Sequence, residues 1–130
     1  MRRVLLLASF VLALIVGPAT AASAVDDVFR GAWAGIDSDG SNLTLTIEGT
    51  GQAGRHSVTY FDDAATLCGG GPATAQGSGK VEGDTMYVSW TAACRTGGNP
   101  FRGKIAFTFE YDTEADTLTD NFGVTYYRTT

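Results

Sequence analysis

Asn42-Leu43-Thr44-Leu45-Thr46-Ile47-Glu48 alternates strictly between polar and apolar side chains. A period of two marks a β-strand with one dry face and one wet face. Leu43, Leu45 and Ile47 point one way, and Thr44, Thr46 and Glu48 the other. The same pattern returns in Met86, Val88 and Trp90 against Tyr87, Ser89 and Thr91, then in Ile105, Phe107 and Phe109 against Ala106, Thr108 and Glu110. Parallel strands, covered on both faces, would be apolar throughout and would need long crossover connections. The spacers here are too short, so the sheet is antiparallel.

Clusters of Asp, Ser and Gly or of acidic residues at 37–41, 82–84 and 112–116 read as hairpin turns. Between such turns, eight strands are predicted near 28–36, 42–48, 55–62, 72–81, 85–94, 101–111, 117–121 and 124–128. Open edges in a short antiparallel chain invite aggregation, and closure removes them. The predicted fold is therefore all-β, a small eight-stranded antiparallel up-and-down β-barrel. An open β-sandwich is the alternative that the same period allows. In the barrel, the connections 37–41, 63–71, 95–100 and 122–123 share one end and the tighter turns share the other. On the fourth strand Ala73, Ala75, Gly77 and Gly79 share a face. Pointing inward, they leave an internal void or make room for Trp90 and Phe107.

Residues 1–24 read as a secretory signal peptide. Arg2 and Arg3 precede an apolar run from 4 to 16, and small residues at 19–24 offer cleavage sites. The run falls short of the roughly 20 residues that span a bilayer. The expected location is therefore secreted, extracellular or periplasmic, with residues 25–130 forming the β-barrel domain. Removing the leader takes the net charge from −5 to −7. That balance argues against nucleic-acid partners, whose phosphates require clustered Lys and Arg. Cys68 and Cys94, the only two cysteines, are expected to form a disulfide in an exported chain. Counting back around the turn at 82–84 places Cys94 opposite Pro72, close enough for the bridge.

Gly31-Ala32-Trp33 in the first strand and Arg128 in the last resemble the calycin barrels, which include lipocalins and avidins. The resemblance implies that Trp33 plugs the barrel floor with Arg128 across it, and that the interior holds a small, mostly apolar ligand. Two departures stand out. No segment offers the external helix of a lipocalin, and with only Trp33 and Trp90 the biotin site of avidins does not carry over.

No catalytic residues, metal ligands or cofactors are assigned. The single histidine, His56, reads as a solvated strand residue, and no nucleophile motif surrounds it. Asp37, Asp39, Asp62, Asp63 and Asp120, with Asn42, Asn99 and Asn121, map to the end with the longer loops, opposed by Arg95 and Arg102. Such a rim favours a cation, although Asp and Asn also recur in turns for conformational reasons. The expected function is a secreted, non-enzymatic binding barrel that holds a small apolar or aromatic ligand. Its predicted ligand-binding residues are Tyr60, Trp90, Phe107 and Tyr126. The rival is a protein-interaction module, such as a small-barrel protease inhibitor, acting through a mobile segment 25–29 or the rim loops. The expected partner is thus a small molecule or a secreted protein, with no nucleic acid and no membrane span in the mature form.

Overall fold

A computed structural model describes residues 27–94 and 102–130. The predicted leader and the segment carrying Arg95 and Asn99 lie outside the described residues. Eight strands follow in order: β1 (Gly31–Ile36), β2 (Asn42–Gly49), β3 (Arg55–Ala65), β4 (Gly71–Glu82), β5 (Thr85–Cys94), β6 (Arg102–Asp112), β7 (Thr117–Asp120) and β8 (Thr125–Arg128). Each pairs antiparallel with the next, and β8 pairs back to β1 to close the barrel. Closure decides against the open sandwich. Among the described residues, no helix is long and apolar enough to cross a membrane.

Burial follows the period of two. In β2, Leu43, Leu45 and Ile47 are buried while their neighbours are exposed, and in β5 Met86, Val88, Trp90 and Ala92 are buried while Tyr87, Ser89 and Thr91 between them are exposed. These residues join Trp33, Val58, Ala75, Phe109, Leu118, Val124 and Tyr126 in one core cluster. The small residues of β4 point inward, and large side chains occupy the space they leave. A Cβ on Gly77 would lie 2.0 Å from the Ser89 carbonyl oxygen and 2.5 Å from the Trp90 Cα. On Gly79 it would meet the Met86 sulfur at 2.6 Å. Glycine at 77 is therefore required by close approach, and the bulk it admits belongs to Trp90 and, next door, Met86.

Two local departures from expectation have clear causes. The chain at 28–30 forms a turn and not the start of a strand, because Arg30 N–H donates to the Asp27 carbonyl (3.0 Å) and Gly31 takes a φ of +139°. The disulfide links Cys68, at the end of a single 3₁₀ turn (Thr66–Cys68), to Cys94 with Cα atoms 5.5 Å apart. Cys94 stands opposite Ala73, one residue from the expected Pro72, because Glu82 pairs with Thr85 around a two-residue turn.

Candidate functional site

The up-and-down order gives the barrel two ends. At the floor, Trp33 is 1% exposed and the Arg128 guanidinium lies 4.0 Å from its ring centroid. This stacking is worth about 0.5–2 kcal/mol. Arg128 also donates to the carbonyls of Arg30 (2.7 Å) and Val28 (2.8 Å) and pairs with Asp116 (2.9 Å). The hydrogen bonds from Arg128 hold the Asp116 carboxyl below its ordinary pKa. Trp33 Nε1–H donates to the Phe29 carbonyl at 2.9 Å.

The segment 27–30 thus seals the floor. This corrects the expectation of a mobile arm at 25–29 as far as residues 27–29 are concerned, since the Phe29 side chain is 1% exposed; residues 25 and 26 lie outside the described residues. It also corrects the reading of His56, which is 3% exposed, lies under Phe29 and has its Nε2 2.6 Å from Asp27 Oδ1. The signal was present in the chain, for His56 shares parity with Val58 and Tyr60 and so faces inward.

Toward the rim, the structure brings the four predicted ligand-binding residues into one aromatic stack. Trp90 lies 5.0 Å from Tyr60 and 4.7 Å from Phe107, centroid to centroid. Phe109 links that trio to Tyr126, 5.7 Å away. Trp90 and Tyr126 are buried, while Tyr60 and Phe107 are half-buried. Exposed Phe122 rests on Phe107 at 4.9 Å. Tyr126 O–H donates to Asp120 at 3.0 Å. Burial, reinforced by the charges of Asp62, Asp37 and Asp120, raises the pKa of Tyr60. Burial first, then Tyr60 and Asp120, does the same for Tyr126. Both phenols therefore stay protonated, and that of Tyr126 acts as a donor.

The rim carboxylates are occupied in shaping turns. Asp39 accepts from Ser41 N–H (2.9 Å) and the Thr66 hydroxyl (3.0 Å). Asp63 takes both the backbone and side-chain N–H groups of Asn42. Asp120 accepts from the N–H groups of Phe122 and Val124. Asp62 and Asp63 point apart, one buried and one exposed. Burial raises the Asp62 pKa. Among the described residues, no three His, Cys, Asp or Glu side chains converge as metal ligands.

A feature absent from the sequence reading lies on the outer wall. Ala34 of β1 stands between Thr44 of β2 and Tyr127 of β8. A short side chain between two longer ones leaves a trough of about 870 Å³, reached also by Ile36, Asp37, Asn42 and Phe122. Ile36, Phe122 and Tyr127 are 68%, 66% and 62% exposed, which gathers three large apolar side chains at one site. Ile36 and Tyr127 fall on wet-face positions, and that break in the alternation is the sequence signal for the trough. Compared with protein-family models, with curated proteins and with solved structures, the chain matches none.

Proposed function

We propose that this chain is a secreted, non-enzymatic binding module of calycin-like architecture whose partner is a protein docking in the outer trough. The observation that carries this reading is the gathering of Ile36, Phe122 and Tyr127 in one solvent-facing groove. Exposed apolar patches rimmed by polar groups mark interaction sites. Among the described residues, Asp37 is the only charged one lining the trough, so the fitting segment carries apolar or aromatic side chains with a basic residue at the Asp37 end. The leader-like N-terminus and the disulfide support an exported protein.

Selection of displayed peptides on the folded domain tests this reading. The expected consensus combines apolar residues with Lys or Arg, and binding falls at least tenfold in Ile36→Ser and in Tyr127→Ser. Binders indifferent to both substitutions would overturn it. Ligand storage inside the barrel is the second reading, favoured by the half-burial of Tyr60 and Phe107 at the rim. It requires those rings to separate from Trp90. Native mass spectrometry of protein from its own culture medium tests it, because a stored ligand copurifies.

A further inference from the structure

The outward side chains of β3–β6 form a lattice set by register. Ser57, Ser78, Ser89 and Ala106 stand directly opposite one another around the barrel. The row Arg55, Lys80, Tyr87 and Thr108 flanks them on the floor side, and Thr59, Gln76, Thr91 and Lys104 on the rim side. Longer side chains therefore border short ones, and a groove crosses four strands. Two adjoining hollows of about 410 and 390 Å³ lie along it and share Ser78 and Ser89. Three interstrand spacings make the central row about 14 Å long.

The groove is also distinct in charge. Among the described residues, Arg55, Lys80 and Lys104 are its only charged positions, in a chain of net charge −5. Arg55 and Lys80 face each other directly, and like charges so placed cost stability. Among the described residues, neither Arg55 nor Lys104 forms an ion pair, and Lys80 pairs only with Glu82, both side chains being 55% exposed. Such an exposed pair contributes little and exchanges readily. The bordering carboxylates, Glu82 and Glu110, stand beyond the floor-side row.

We infer that this groove binds a linear acidic glycan, a sugar chain carrying carboxylates. Its acid groups reach Arg55 and Lys80 on one side and Lys104 on the other. Its hydroxyls exchange hydrogen bonds with the serines and threonines between. This site is separate from the trough on β1 and does not depend on the proposed protein contact. A nucleic acid fits less well, because three cations neutralise few phosphates and Tyr87 is the single exposed ring in these rows, where single strands use several. An added peptide strand fits less well too, since β4 and β5 are paired along both edges.

Titration of the folded protein with polygalacturonate, observed by NMR, tests the inference. Shifts are expected at Ser78, Ser89 and Tyr87, with affinity falling as salt rises. Arg55→Gln combined with Lys104→Gln should weaken binding at least tenfold. Ser78→Phe, which fills the groove and leaves the charge unchanged, should do the same, with unfolding curves confirming that each variant folds. Uncharged dextran should bind at least tenfold more weakly. The inference is overturned if polygalacturonate causes no shifts, if Ser78→Phe binds as the parent does, or if single-stranded DNA of matched charge binds as tightly.

Discussion

Replacing Gly77 by alanine probes the packing on which the closed barrel depends. Gly77 is not among the residues with positive φ, so alanine suffers no backbone prohibition, and in an open strand the exchange would stabilise by about 0.4–1 kcal/mol through the unfolded state. Here the new methyl would meet Ser89 O at 2.0 Å, Trp90 Cα at 2.5 Å and Trp90 Cβ at 2.6 Å. The first two belong to the paired backbone of β5 and cannot rotate away. The cost therefore falls at or above the top of the overpacking range, about 3 kcal/mol, against a total of roughly 5–15 kcal/mol for a domain. With a urea slope near 1.5 kcal/mol per M, the midpoint should fall by about 2 M. Trp33 and Trp90 supply the fluorescence signal. Gly79→Ala is the internal control: its methyl meets the flexible Met86 side chain, so the loss should be about 1 kcal/mol. A Gly77→Ala protein as stable as the parent would refute the proposed seating of Trp90 against β4.

Three further predictions concern the bridge and the carboxylates. Replacing Cys68 and Cys94 together by alanine opens a loop of 26 residues, and chain entropy sets the loss at about 3.5 kcal/mol, measurable by urea unfolding. Arg128 lowers the Asp116 pKa, so the ion pair stabilises the fold above the unfolded carboxylate value of about 3.9 and is lost as pH falls through the lower folded value. Asp116→Asn should flatten this acid limb, and parallel acid limbs in the two proteins would contradict the assignment. Asp62 behaves oppositely: burial raises its pKa, so its ionisation weakens the fold as pH rises through that value. Asp62→Asn retains an acceptor for Ala64 N–H and should raise the melting temperature at pH 7 but not at pH 3.

The sequence by itself determined the strands, their antiparallel order and the facing of most side chains, because a period of two is a local property of the backbone and needs no partner to be read. Residues 42–48 and 86–90 show this directly. The disulfide was legible for a related reason, since two cysteines leave one pairing. Parity also held the answer for His56, yet polar character obscured it, and only Asp27 and Phe29, brought across the floor by the turn at 27–30, account for its burial. The proposed binding surfaces depended on contacts between strands. Whether Ala34 floors a trough is decided by Thr44 and Tyr127 beside it, and whether Ser78 floors a groove is decided by Arg55, Lys80 and Lys104 on neighbouring strands. Register places those residues together, and register is set by turn lengths and barrel closure acting at a distance. The same closure brings the rings at 60, 90 and 107 into mutual contact and joins the ring at 126 to them through Phe109, a packing that their spacing along the chain does not specify.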